Sequence, residues 1–332
     1  MKEILEKLTN GHVLSQQEAK QTLSQLAKGE YNLSQMSAFL TIYLMRDIEP
    51  QELMGFKAAM LELCNAIDLD QYQAMDMCGT GGDGKDTFNI STTASFVVAG
   101  AGQNVAKHGN NGVSSSCGSS NLLAHFGVHF TSDEFKLRKS LDESGICFLH
   151  APLFHPAMKN VAPVRKELGL KTFFNMLGPL VNPSKPNKQL AGVYSLQVGK
   201  LYQQVFQSEN KHSAVVHALD GYDEISLTGD FKVLFPNEEK QFSPEGLGFK
   251  PIEQEEIYGG SSIEESATIF QNVLKGDATK AQKNVVLANA GLALYVGQGL
   301  SGFEEGIAKA KESVDSGLAL KSFESFLKVN QA

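Results

Sequence analysis

Four glycines fall within six residues in Cys78-Gly79-Thr80-Gly81-Gly82-Asp83-Gly84, directly after the apolar run Met75 to Cys78. A backbone so free of side chains turns tightly and aims several N–H groups at one anion. Asn89-Ile90-Ser91-Thr92 then opens an apolar stretch of helical spacing, which puts hydroxyls and free N–H groups at a positive helix end. The pattern lacks the Gly-Lys-Ser ending of a Walker loop and the GxGxxG spacing of a dinucleotide fold. A glycine turn alone is a weak signal; a strand before it and a polar helix start after it make it a phosphate cradle. A second group is Lys107-His108-Gly109-Asn110-Asn111-Gly112, followed by the serine-rich run to Ser119. Loops at strand ends of a parallel sheet share one crevice, so Lys107 would supply a point charge and the Gly/Ser run hydrogen-bond donors. The bland reading of this run is a flexible polar loop. His108 reads as structural, because no carboxylate that would orient it lies close in sequence. Third, Asp223-Glu224 closes the run Asp220-Gly-Tyr-Asp223-Glu224, and adjacent acids at a strand end suit Mg²⁺ held partly through water and phosphate. An isolated Asp-Glu is more often a solvated turn. Arg165 is the remaining candidate: its fork would hold a substrate carboxylate bidentately, or else form a surface salt bridge. Together these residues describe an enzyme that binds a polyphosphorylated small molecule with Mg²⁺, without naming the reaction.

The elements that must carry them fall into two blocks. The first 70 residues read as short helices: Ser15 with Glu18 forms a capping box, Ser34 caps a second stretch, and Pro50 opens a third. A bundle this small would leave an apolar face to dock on the rest of the chain or on a second subunit. From about Ala74, short apolar runs alternate with helical stretches: Met75 to Cys78, Asn104 to Lys107, Cys147 to His150, Leu190 to Tyr194 and Ala214 to Leu219. This is the pattern of βα units around a mainly parallel central sheet. The last 70 residues return to helices, with Ser262 to Leu274 and Ala278 to Val296 the clearest. Between the two βα blocks, His155 to Pro186 carries five prolines and reads as a rigid, broken connection that would serve as a hinge. The fold class expected is therefore α/β, with a small all-helical domain and a larger α/β domain.

Bulk properties agree. A chain of 332 residues suits two domains, and 42% hydrophobic with 20% charged residues is ordinary for a globular protein. The net charge of −8 argues against nucleic acid as a partner, since phosphate neutralisation needs a basic stripe; a small basic pocket for an anionic substrate remains compatible with it. Cys64, Cys78, Cys117 and Cys147 form no CxxC pair and read as free thiols of a reducing compartment. The first ten residues lack a signal core, and no apolar run approaches the roughly 20 residues that span a bilayer. A cytoplasmic location and no membrane partner are expected.

Seven motifs then occur in one order: Gly79-Thr-Gly-Gly-Asp83, Asn89-Ile-Ser-Thr92, Lys107-His-Gly-Asn110, His155-Pro-Ala-Met158, Ala162-Pro-Val-Arg165-Lys-Glu-Leu168, Asn175-Met-Leu-Gly-Pro179 and Asp220-Gly-Tyr-Asp223-Glu224. In that order the chain resembles the anthranilate phosphoribosyltransferases over essentially its whole length. The resemblance implies attack of the anthranilate amine on C1 of phosphoribosyl pyrophosphate in tryptophan biosynthesis, with Mg²⁺ as cofactor and a homodimer formed through the helical part. It implies a fold of the nucleoside phosphorylase/phosphoribosyltransferase type. In it, residues 1–70, completed by about 165–185, form the helical domain; 71–164 and 186–332 form the α/β domain. It implies donor contacts from Gly79, Gly82, Asp83, Thr87, Asn89, Ile90, Ser91, Thr92, Lys107, Ser115 and Ser119. Metal would be held by Ser91, Asp223 and Glu224, and anthranilate by Gly79, Asn110 and Arg165, with no residue assigned as acid or base. Two positions depart from the family pattern: Asn111 stands where Arg is usual, and Asn121 where Asp is usual. Loss of one positive and one negative charge would leave the local balance roughly unchanged, and if the usual pair are partners the two changes are coupled. Two rival readings stand beside it: a pyrimidine-nucleoside phosphorylase, whose Lys-Met-Ser-Gly-Arg type motif is missing, and a non-catalytic relative that binds nucleic acid, against which the net charge of −8 argues.

Overall fold

The computed structural model describes residues 1–112 and 117–331. Four helices come first: α1 Lys2–Thr9, α2 Gln16–Ala27, α3 Leu33–Met45 and α4 Pro50–Glu62. Ser15 and Glu18 form the expected capping box, and Pro50 opens α4. The start of α3 differs from expectation: Asn32, not Ser34, is the cap, because its side chain accepts the Gln35 N–H while Gln35 answers it. An Asx side chain two residues earlier competes successfully, as its carbonyl reaches the N3 amide.

The remainder alternates strands and helices: β1 Met75–Met77, α5 Ile90–Gly100, β2 Val105–Gly109, α6 Ser119–His125, α7 Glu134–Ser144 and β3 Ile146–His150. Short helices α8 Ala151–Phe154, α9 Ala162–Leu168 and α10 Phe174–Leu177 occupy the proline-rich connection. Then follow β4 Lys188–Gly192, α11 Leu196–Ser208, β5 His212–Ala218, β6 Phe231–Phe235 and β7 Glu238–Phe242. The helices α12 Ile263–Lys275, α13 Lys280–Gln298, α14 Phe303–Asp315 and α15 Leu318–Asn330 end the chain.

The strands form one seven-stranded sheet in the order β3-β2-β1-β4-β5-β6-β7. All neighbours run parallel except β5–β6 and β6–β7. Side chains alternate between two cores, as a pleat requires. Ala214, Val216 and Ala218 face the core built with α5 and the C-terminal helices, and Val215 faces the other. The second core runs from the sheet through Tyr202 and Phe206 of α11 into the N-terminal helices, so their apolar face is buried within the same chain. Val161, Val164, Phe173 and Leu180 share that core; Phe173 stacks on Phe56 at 4.6 Å and meets Tyr43 edge-on at 5.3 Å.

Strand order doubles back at β1, with β2 and β3 on one side and β4 and β5 on the other. The loops after β1 and β4 therefore part company, opening a crevice at the carboxyl ends of the strands. Inside this seam, fully buried Asp76 on β1 accepts the His108 backbone N–H at 3.1 Å. A side chain takes the place of a main-chain acceptor there, since β1 and β2 pair only at Met75 and Val105. Through the parted strands the Lys107 ammonium reaches the Met77 carbonyl.

Candidate active site

The crevice holds a cavity of about 300 Å³. On one wall lies the glycine loop, where Gly81, Gly82 and Gly84 take φ of +62°, +78° and +75°, a region that favours glycine. Gly79 serves a different need: a Cβ there would stand 2.7 Å from the Asp223 carboxylate. The loop is tied to the acidic pair by direct bonds. Gly81 N–H donates to Asp223 Oδ2 at 2.7 Å, and Asp223 N–H to Asp83 Oδ2 at 3.4 Å. The first free amide of α5 joins the same group, Ser91 N–H donating to Glu224 Oε1 at 2.8 Å. Three elements distant in sequence thus meet around one set of carboxylates.

The structure brings Gly79, Gly82, Asp83, Thr87, Asn89, Ser91, Thr92, Lys107, Asn110, Ser119, Arg165, Asp223 and Glu224 to the lining of this cavity. Ile90 is the exception, its side chain 1% exposed and packed in the α/β core; its periodicity partners are the buried face of α5, and the lining comes from its polar neighbours. Ser115 lies outside the described residues. Asn89 holds its place by donating to the Cys117 carbonyl at 2.9 Å.

Charge in the cavity is unevenly matched. Burial pushes the Asp223 carboxyl up, and the neighbouring Asp83 adds to it; burial and the Asp223 charge do the same to Glu224. Such a cluster resists carrying its full negative charge without a cation. Lys107 stands close, its ammonium 3.4 Å from Ser91 Oγ, yet burial lowers its own pKa. The residues therefore fit a divalent cation. Carboxylate oxygens of this kind suit Mg²⁺, an ion that keeps waters and substrate oxygens among its ligands. Cys78 also lines the cavity, but burial pushes its thiol up to about 12, so it is no ready nucleophile.

The opposite wall comes from the proline-rich connection. Arg165 forms no ion pair among the described residues; its guanidinium lies 5.3 Å from the Phe174 ring centroid and donates to Asn175 Oδ1 at 3.5 Å. Burial lowers its pKa, but a guanidinium stays charged. The expected alternative of a surface salt bridge is thus not what the structure holds. Phe174, Asn175, Gly178 and Pro179 line the same wall, and sequence reasoning gave them no role. The one signal for the last three was the Asn175-Met-Leu-Gly-Pro179 run, whose Gly-Pro pair marks a turn; Phe174 had none. His108, read as structural, lines the cavity as well. Its Nδ1 lies 3.0 Å from the Gly178 carbonyl, its Nε2 has no hydrogen-bond partner among the described residues, and burial lowers its pKa to about 4. Lys171, also missed, reaches across to the Gly82 carbonyl and joins the two walls.

Asn111 N–H donates to Asn110 Oδ1 at 2.8 Å, while Asn121 Oδ1 accepts the N–H groups of Gly112 and Gly118 at 2.9 and 3.1 Å.

Comparison with known proteins matches residues 2–64 to the helical bundle domain of a glycosyl transferase family and residues 71–320 to the a/b domain of the same family. An anthranilate phosphoribosyltransferase from Christiangramia forsetii is 53% identical over 331 residues, all of both chains. The crystal structure of anthranilate phosphoribosyltransferase from Thermus thermophilus superposes with a TM-score of 0.93 at 34% identity, covering 99% of each chain. The Saccharomyces cerevisiae enzyme in complex with PRPP and Mg gives a TM-score of 0.90 at 30% identity, covering 98% of this chain and 96% of that one.

Proposed function

The chain belongs to the anthranilate phosphoribosyltransferases of that glycosyl transferase family, and from this premise we propose how its cavity divides the work. The reaction moves the phosphoribosyl group of 5-phosphoribosyl 1-pyrophosphate (PRPP) to the amine of anthranilate, in tryptophan biosynthesis. The glycine loop, the start of α5 and Lys107 take the pyrophosphate end of the donor, with Ser119 beside them. Asp223, Glu224 and Ser91 hold Mg²⁺, a reading supported by the raised carboxyl pKa values and by the yeast relative solved with PRPP and Mg. When bound, that cation supplies positive charge against the leaving pyrophosphate.

The observation that carries the acceptor assignment is Arg165. It is a partly buried cation without an acidic partner among the described residues, set over the Phe174 ring and lining the same cavity as Asn110 and the glycine loop. An anthranilate carboxylate answers that charge, and the aromatic face of Phe174 suits its ring. In the reaction the C1–O bond breaks and its electron pair leaves with pyrophosphate, while the amine nitrogen forms the new bond to C1 and sheds a proton to solvent. The aryl amine is already neutral at pH 7, so no base need act before attack. Catalysis then rests on positioning and on donors preset for the departing charge.

Steady-state kinetics of Arg165→Ala test the acceptor role. A charge-assisted bond is worth about 1.5–3 kcal/mol, so the anthranilate KM should rise roughly tenfold to a hundredfold, with the PRPP KM little changed. A rise in the PRPP KM alone would reverse the two walls.

We also propose a cytoplasmic homodimer. No helix among the described residues is long and apolar enough to cross a membrane, the four cysteines are free, and Leu33, Leu44 and Met45 of α3 stay exposed.

A further inference from the structure

We propose that Asn121 is a positioning residue of the active site, setting where Ser119 on the donor side and Asn110 on the acceptor side stand by closing the neck between Gly112 and Gly118; the inference rests on the PRPP reading above. Both hydrogen bonds at the neck run from backbone N–H groups to one oxygen, Asn121 Oδ1, at 2.9 and 3.1 Å. The approach they enforce is close: a Cβ on Gly118 would lie 2.0 Å from the Gly112 nitrogen. Gly118 has φ −78° and ψ 170°, values open to any residue, so its missing side chain serves contact rather than conformation. The start of α6 then grips the preceding strand end a second time. Ser120 N–H and Ser119 Oγ–H both donate to the Asn110 carbonyl, at 3.1 and 3.3 Å. Asn121 is itself firmly based, since Leu122 and Leu123 beside it are 0% and 1% exposed and Ser120 Oγ meets His150 Nδ1 at 2.9 Å.

The chemistry at position 121 follows from the donors it serves. Two N–H groups need an acceptor oxygen at that reach, and neither needs a charge. Asparagine supplies it neutrally, beside an Asn111 that carries no charge either. Aspartate at 121 would keep both bonds; alanine would lose both.

The test compares wild type, Asn121→Ala and Asn121→Asp with PRPP and anthranilate varied in turn, alongside thermal melting with and without PRPP and Mg²⁺. Loss of two backbone-to-side-chain bonds predicts a PRPP KM about tenfold higher in Asn121→Ala. The PRPP-induced rise in melting temperature should shrink, and kcat should change less than KM. Asn121→Asp should restore a KM within about threefold of wild type, because its carboxylate offers the same acceptor. An unchanged PRPP KM in Asn121→Ala, or an Asp variant as impaired as the Ala variant, overturns the proposal. Should Asn121→Ala fail to fold, Asn121→Ser, too short to reach both glycines, reads the same split. Active wild type with an indifferent Asn121→Ala refutes this inference alone, whereas inactive wild type refutes the PRPP reading and this inference with it.

Discussion

At the scale of single residues, Asp223 and Glu224 bear most directly on the chemistry. Asp223 is buried and Glu224 half-buried, both with pKa values raised near Asp83, and each accepts an N–H from the donor wall, Gly81 for one and Ser91 for the other. Charge removal without loss of shape should therefore act on cation use. In Asp223→Asn with Glu224→Gln, the Mg²⁺ concentration giving half-maximal PRPP binding by calorimetry should rise at least roughly tenfold, as expected when ligand charge is lost. Unaltered Mg²⁺ dependence would remove these residues from the metal site. Such residues were legible in the sequence because adjacency and strand-end position are local properties. Arg165 was legible as a cation but not as an unpaired one, since its freedom depends on what the fold leaves around it. His108, read as structural, is held by bonds that its own stretch of sequence could not show. Its neighbours Asp76, Gly178 and His155 come from other segments; Asp76 accepts its backbone N–H, Gly178 meets its ring nitrogen, and the His155 ring centroid lies 5.3 Å away.

Among elements, the critical junction is where β4 ends against the turn that carries the acidic pair. A Cβ on Gly192 would sit 1.6 Å from the Asp223 carbonyl oxygen, and the Thr80 N–H also donates to the Gly192 carbonyl at 2.9 Å. Backbone contacts of this kind cannot yield as a flexible side chain can. Gly192→Ala should displace the Asp223–Glu224 turn, cutting kcat/KM by roughly a hundredfold for a misplacement near 1 Å and lowering the melting temperature. Wild-type kcat/KM in that variant would show that the turn is not held there. The βα alternation, the cap of α2 and the proline opening α4 could be read from spacing. The antiparallel pair β6 and β7 could not: Glu238–Phe242 is mostly exposed polar residues without alternation, so no hydrophobic period announces it. The cap of α3 turned on a choice between Asn32 and Ser34 that only backbone geometry decides.

For the whole molecule, the two cores explain why a bundle of four short helices holds together. Its aromatic cluster of Phe39, Tyr43 and Phe56 is completed by Phe173 from the connection, and buried Lys57 pairs with Glu209 beyond α11. Sequence reasoning foresaw an apolar face seeking cover on the rest of the chain or on a second subunit, and most of it is covered by the same chain. What stays exposed lies at the two ends of α3: Leu33 at 50% opens it, and Met45 at 84% closes it beside exposed Leu44 in a small patch. If that patch pairs two copies, Met45→Lys should shift sedimentation from dimer towards monomer; a wild type that sediments as a monomer would end the dimer proposal. Above these questions stands the reaction itself, and it is read most directly by mixing folded protein, Mg²⁺, PRPP and anthranilate, then following anthranilate fluorescence and released pyrophosphate together. The account predicts that fluorescence falls while one pyrophosphate appears for each anthranilate consumed, and that chelating Mg²⁺ halts both. Steady fluorescence from folded protein, or pyrophosphate released without loss of anthranilate, would contradict it.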